Sequence, residues 1–455
     1  MVPSQSPTQG RALVETTAES RTTATRRVTL RLPGQTGNVA WNLLGLFGSA
    51  AAQWGIIAML ARFGSPTMVG QYAFGLATTA PMILLASLGL RVVLVTDTSG
   101  RFAFREYLRL RTAAMVVAVA AIGVVAVTRG SGDGTVIMLI GVAKAIDGVG
   151  DIYCGRFQQL LRMRLVATSM IINNVATLLL MALLLRLTRD IGWTTAGSVA
   201  GSTLGSLIYC RFAAGRAGPM APPSAARPTW KALTRAGTLV RIALPVGLAS
   251  GLNSFSGNMP RYLLEHRLGT GALGVFAVVA YATVVTNIFF AGVAQTALPK
   301  MSELYSGGAY RALSTLTARL VLGSLALGAV AVAAALFGGD AALRLAYGSA
   351  YAQQGHLLAI FAASVGFSGA LFFLNSAISA TRKFGRQLAV SLTMLAFNVV
   401  ISLILISTHG LTGAAWALVA SLGCEALLKL MVFRHALAMP AELSATARDR
   451  ASPSR

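Results

Sequence analysis

Runs of apolar residues recur down this chain, parted by short links in which arginine is frequent. Each run is about 20 residues long, and at 1.5 Å rise per residue such a run crosses a hydrocarbon core of about 30 Å. The pattern predicts about twelve membrane-spanning helices. They run over residues 39–61, 70–95, 110–128, 135–154, 169–187, 194–212, 242–263, 270–293, 314–337, 354–379, 387–407 and 413–433. The fold class expected is therefore an all-α polytopic membrane protein. Its first segment, 1–38, is rich in Ser, Thr and Arg and has no apolar core of a signal peptide. It reads as a disordered basic cytoplasmic tail, with Arg26, Arg27 and Arg31 resting on anionic headgroups.

Composition sharpens this picture. Of the 455 residues 55% are hydrophobic and 11% charged, against roughly 25% charged in a soluble domain. A net charge of +24 in a soluble chain would point to nucleic acid. Here most lysines and arginines fall in alternate loops and in the tails, which marks membrane orientation and contact with anionic lipid, and no nucleic-acid partner is expected. The same asymmetry places both termini on the cytoplasmic side of the membrane. Three cysteines, Cys154, Cys210 and Cys424, and four scattered histidines form no spacing that suits a disulfide framework or a metal site.

The chain divides near its middle. The loop 213–241 opens with the Pro-rich piece GPMAPPSAARP and continues as TWKALTRAGTLVR, which suits a short interfacial helix. In that helix Trp230, Leu233 and Val240 would face lipid, and Lys231, Arg235 and Arg241 the headgroups. It separates a six-span segment, 39–212, from a second, 242–433, with a cytoplasmic tail at 434–455. The segments look related. Arg62-Phe63-Gly64 aligns with Arg267-Leu268-Gly269, and after a one-residue gap Gly70-Gln71-Tyr72 aligns with Gly274-Val275-Phe276. An even number of spans per half makes the repeat parallel about an axis along the membrane normal, an arrangement from which secondary transporters build a central site. Two pseudo-symmetric six-helix bundles around a central cavity are expected.

Polar residues inside spans carry the candidate chemistry, since one charge at mid-helix costs roughly 2.5–3.5 kcal/mol on insertion scales. In span four Lys144, Asp147 and Asp151 are spaced i, i+3, i+7 and share one face. Two readings stand. Either Lys144 and Asp147 neutralise each other locally, or Lys144 meets an anionic substrate while Asp147 or Asp151 takes a coupling proton or sodium ion. Span seven carries Asn253, Asn258 and Arg261 beside Pro260, whose missing N–H frees the carbonyl of Ser256. Arg261 either snorkels outward or faces a cavity, and Arg91, near the end of span two, presents the same choice. Asn173, Asn174, Asn287, Asn375 and Asn398 read as interhelical hydrogen-bonding residues. Glu425 and Lys429 read as a local ion pair, and Pro81 as a kink. There is no P-loop, HExxH, paired CxxC or Ser–His–Asp pattern, and no loop large enough for a catalytic domain. Neither an enzyme nor a bound cofactor is expected, and transport would draw on a proton or sodium gradient or the membrane potential.

Several strings in order are similar to bacterial polysaccharide transporters. They are NVAWNLLGLFGSAAAQWGIIAMLARFG, GLRVVLVTDTSGRFAFREYLRLR, KAIDGVGDIYCGRFQQLLRMRLVATSM, NMPRYLLEHRLGTGALGVFAVVAYA and ALPKMSELYSGGAYRAL. The resemblance spans roughly residues 35–435. It is to the flippases of O-antigen and exopolysaccharide repeat units, within the multidrug/oligosaccharidyl-lipid/polysaccharide (MOP) superfamily. It implies two bundles around a cleft, alternating access, and a substrate of oligosaccharide on polyprenyl diphosphate moved across the bacterial inner membrane. Arg91, Lys144 and Arg261 would then supply positive potential, and Asn253 and Asn258 would contact sugar. Expected partners are the lipid-linked oligosaccharide, anionic membrane lipids and other polysaccharide assembly proteins. The competing readings are a drug or cation antiporter of the same superfamily and a polytopic membrane glycosyltransferase or polymerase.

Overall fold

The computed structural model describes residues 35–97, 102–216, 229–381 and 385–451. Nearly all are helical: α1 (Gln35–Phe63), α2 (Pro66–Ser87), α3 (Leu90–Thr96), α4 (Phe104–Thr128), α5 (Ser131–Gln159), α6 (Met163–Thr188) and α7 (Ile191–Ser202). A π-helical turn (Thr203–Tyr209) joins α7 to α8 (Cys210–Arg216). The second half holds α9 (Thr229–Tyr281), α10 (Val284–Ser306), α11 (Tyr310–Tyr347), α12 (Gly355–Ala380) and α13 (Gly385–Ala451). Among the described residues there is no β-strand.

Among those residues eight helices are long and apolar enough to span a membrane. Two of them hold two crossings each. Helix α9 breaks at Gly269 (φ 81°) and α13 at Gly410 (φ 57°), left-handed positions that glycine adopts without steric cost. The second crossing of α9 starts after the break and is completed by α10, and helix α5 and the α7–α8 unit bring the number to about twelve crossings; a span needs about 20 residues. The protein is a multi-pass membrane protein, as the apolar runs predict.

Boundaries differ from expectation where the backbone makes its own demands. Span two is divided by Leu88 (φ 52°) and Gly89 (φ 60°), so that α3 follows as a separate short helix carrying Arg91. The side chains from Trp230 to Arg235, assigned to an interfacial helix, lie outside the described residues. The backbone there is helical from Thr229 and runs unbroken into the seventh span. The final helix continues to Ala451, through much of the stretch expected as a tail. The N-terminal tail is outside the described residues before Gln35.

The sequence repeat reappears as geometry. Helix α2 of the first bundle packs along α9 of the second, and the two aligned glycines meet there. A Cβ on Gly70 would lie 1.7 Å from the Thr270 carbonyl oxygen, and one on Gly274 would lie 1.8 Å from that of Pro66. The contact is reciprocal, as it must be when equivalent residues face each other across a pseudo-twofold axis. Small residues there let the backbones touch.

Two of the prolines within these helices, Pro81 and Pro260, have their freed carbonyls answered by a side chain of another helix. Pro81 cannot donate to the carbonyl of Ala77, and that oxygen accepts the Tyr262 hydroxyl from α9. Pro260 frees the carbonyl of Ser256, which accepts Asn398 Nδ2 from α13 at 3.1 Å.

Further polar ties join the halves at the end of the bundle that holds residues 62–69 and 129–134. Trp54 Nε1 donates to the Tyr347 hydroxyl at 2.8 Å. Arg62 donates to the Leu345 carbonyl at 3.2 Å, and Arg129 pairs with Glu265 at 3.0 Å.

Candidate functional site

A cavity of about 390 Å³ lies between α1, α2, α5, α6 and α7 of the first bundle and α9 of the second. Helix α5 brings Lys144 and Asp147 to it, two residues that one helical turn stacks on the same face. Helix α6 contributes Asn173, Asn174 and Thr177, and α7 contributes Ser198 and Ser202. The opposite wall is α9, with Asn258, Arg261 and Tyr281. Two cations and one carboxylate leave the lining positive, with amides, hydroxyls and two tyrosines (Tyr72, Tyr281) between the charges.

Asp147 organises one side. Its Oδ2 accepts Lys144 Nζ at 3.1 Å. Its Oδ1 accepts Asn173 Nδ2 and Ser206 Oγ, each at 2.8 Å. Ser206 reaches this position through the π-helical turn, a device that re-aims a helix locally. Gly205 permits the approach, for a Cβ there would lie 2.3 Å from Asn173 Cα. Lys144 retains 41% side-chain exposure, so its ammonium faces open space on one side and its carboxylate on the other. The local pair and a cavity-facing cation, alternatives in the sequence, are both present.

Arg261 holds the other side. Its Nη1 donates to Asn258 Oδ1 at 2.8 Å, and Asn258 in turn donates to the Ser254 carbonyl at 2.8 Å. The buried Nε of Arg261 finds no acceptor among the described residues. A guanidinium fixed by one edge and unsatisfied at another donor is poised for an added acceptor.

The remaining candidates lie elsewhere. Arg91 is away from the cavity lining: it pairs with Asp151 at 2.6 Å and donates to Gln158 Oε1 at 3.0 Å. Asp151 is held on its second oxygen by Arg111 at 2.8 Å. Arg111, 3% exposed, also donates to the Gly148 and Ser87 carbonyls. Ser87 ends α2, and helix ends leave such carbonyls without an internal partner. This network ties α2, α3, α4 and α5 together. Asn253 is exposed and lies outside the lining.

Sequence reasoning passed over Arg111, which stands one residue inside a span beside loop arginines and looks like one of them. It also passed over Thr177, Ser198 and Ser202, small residues with no distinguishing spacing. The asparagines divide. Asn174 donates to Ser49 Oγ on α1 at 2.9 Å and Asn398 caps Ser256, whereas the buried Oδ1 atoms of Asn287 and Asn375 find no donor among the described residues. Glu425 and Lys429 are paired one helical turn apart.

The fold is that of MOP-superfamily transporters, two six-helix bundles around a central cavity. An inward-facing multidrug resistance MATE family transporter of that superfamily superposes with a TM-score of 0.65 at 13% identity, covering 87% of this chain and 96% of that one. The lipid II flippase MurJ, in an inward closed conformation, superposes with a TM-score of 0.63 at 13% identity, covering 87% and 86%. At such identities the likeness establishes fold. Sequence carries the assignment further: the model of the polysaccharide biosynthesis protein family matches residues 36–305, and the chain belongs to that family. The capsular polysaccharide biosynthesis protein CapF of Staphylococcus aureus is 26% identical over 367 residues, 81% of this chain and 91% of that protein.

Proposed function

We propose that this protein is a flippase that moves polyprenyl-diphosphate-linked oligosaccharide units across the bacterial inner membrane by alternating access. The observation that carries the reading is the positive polar cavity between the bundles, with Lys144 and Arg261 on opposite walls. A diphosphate needs charge-assisted donors, which these two supply. Asn258, Asn173 and Asn174 offer the amide partners that sugar hydroxyls require. The prenyl chain stays in lipid, so only the head group travels. A cavity of about 390 Å³ is at the small end of ligand sites, and loading a glycan requires the bundles to part.

A cationic drug would meet a lining of net positive charge, which disfavours the antiporter reading. Arg91 and Asp151, which saturate one another with Arg111 and Gln158, are removed from the proposed site. Asp147 remains the proposed coupling group, since among the described residues its Oδ2 meets only Lys144. Both termini are assigned to the cytoplasm on the distribution of basic loops.

The test is deletion followed by location of the lipid-linked glycan. Accumulation on the cytoplasmic leaflet, relieved by the wild-type gene and relieved about tenfold less well by Lys144→Ala or Arg261→Ala, is the expected outcome; tenfold corresponds to ~1.4 kcal/mol of binding. Normal surface glycan with no accumulation overturns the assignment.

A further inference from the structure

On the outer surface of the first bundle, α4 and α5 part to leave an apolar groove of about 260 Å³. Its walls are Val116 and Val119 on one helix and Val142, Ala145, Ile146 and Val149 on the other. Residues 142, 145, 146 and 149 stand at i, i+3, i+4 and i+7, the face of α5 turned away from Lys144, Asp147 and Asp151. The groove therefore opens on the bundle's surface and not into the central cavity. Its floor includes Met115, 2% exposed, which fits there because Gly148 has no side chain: a Cβ would come within 2.7 Å of the Met115 sulfur.

What distinguishes this groove from ordinary lipid-facing surface is the cationic stripe that continues it. Arg105, Arg109, Thr112, Val116 and Val119 follow at i, i+4, i+7, i+11 and i+14, one line along α4. Arg105 and Arg109 are exposed and have no hydrogen-bond or ion-pair partner among the described residues. On α5 the same line continues from Val149 through Tyr153 to Arg156. Tyr153 meets Phe104 edge-to-face at 5.4 Å, which closes the two helices together at this end. Thus the unpaired arginines stand at the interfacial end of a groove that rises about 10 Å from Thr112 to Val119.

We infer that this groove is a binding site for one anionic glycerophospholipid of the surrounding membrane, its phosphate on Arg105 and Arg109 and an acyl chain lying between α4 and α5. Guanidinium groups fork onto phosphate oxygens, and an anionic headgroup adds the charge that a zwitterionic one cancels. A membrane phospholipid fits better than the transport substrate because α5 stands between this groove and the cavity. A head group held by Arg105 has no path to Lys144 without crossing a helix. The site is independent of the flippase reading, since it rests on a different face of the protein.

The experiment is photo-crosslinking of the purified full-length protein in nanodiscs, using phosphatidylglycerol with a diazirine in one acyl chain. The expected result is labelling of peptides covering 112–119 and 142–149, falling about tenfold with the phosphatidylcholine analogue and in the Arg105→Gln/Arg109→Gln variant. Labelling around Phe337, 94% exposed on α11, serves as the reference and should not change. Val119→Trp, which fills the groove and keeps both arginines, should abolish groove labelling as well. Equal labelling by both headgroups, or insensitivity to either variant, overturns the site. Stronger competition by a polyprenyl monophosphate than by phosphatidylglycerol overturns the choice of occupant.

Discussion

Gly70→Ala probes the axis on which the two bundles meet. Its new Cβ would stand 1.7 Å from the Thr270 oxygen and 2.6 Å from its carbonyl carbon, backbone atoms that cannot rotate aside. Ordinary contact begins near 3.4 Å, so α2 and α9 must separate by roughly 1.5–2 Å at this crossing. A gap of 0.5–1 Å already forfeits a quarter to a half of the dispersion energy of flanking contacts. Overpacking of this kind costs about 1–3 kcal/mol. Gly274→Ala, placed 1.8 Å from the Pro66 oxygen, should cost the same, because the contact is reciprocal. The double variant should cost less than the sum, by about 1 kcal/mol, since one methyl group has already parted the helices. Gly257→Ala is the control: its Cβ meets nothing within 4 Å, and alanine gains up to ~1 kcal/mol in helix propensity. Thermal unfolding of the four purified variants beside the wild type gives the comparison. Wild-type stability for Gly70→Ala, or strict additivity in the double variant, would refute the claim that equivalent glycines touch on a shared axis.

Two other perturbations follow from buried partners. Arg111→Met removes a guanidinium that serves Asp151 and two carbonyls, and should destabilise by about 3–5 kcal/mol. The more exposed Arg91→Gln should cost clearly less, and a reversed order in melting temperature would contradict the network. Tyr262→Phe leaves the Ala77 carbonyl without its donor, a loss of about 1–3 kcal/mol. In a Pro81→Ala background the restored backbone N–H takes that role, so the same change should then cost little. Asn398→Ala should behave likewise in a Pro260→Ala background, and equal costs in both backgrounds would show that the cross-helix caps carry no weight.

Much of this protein is legible one residue at a time. A run of about 20 apolar residues has few options other than a spanning helix, because lipid leaves the backbone no outside partner. Charge within an apolar span marks Lys144, Asp147 and Arg261 for the same reason, and all three line the cavity. The aligned Gly70 and Gly274 announced a repeat, and the proline at 260 announced a freed carbonyl. These are local facts about what a helix in a membrane tolerates.

What tertiary structure decided is which helix answers each demand. Nothing in the neighbourhood of Arg91 distinguishes a cavity from Asp151, because its partners lie 60 and 67 positions away on another helix. Arg111 looked like a loop cation until α2 ended on it. Asn253 and Asn258 sit on one helix, yet only the second faces the site. Ser206 reaches Asp147 because a π-helical turn rotates it there. Side-chain spacing sets the face that a residue occupies, but the identity of the facing helix emerges from packing the whole bundle.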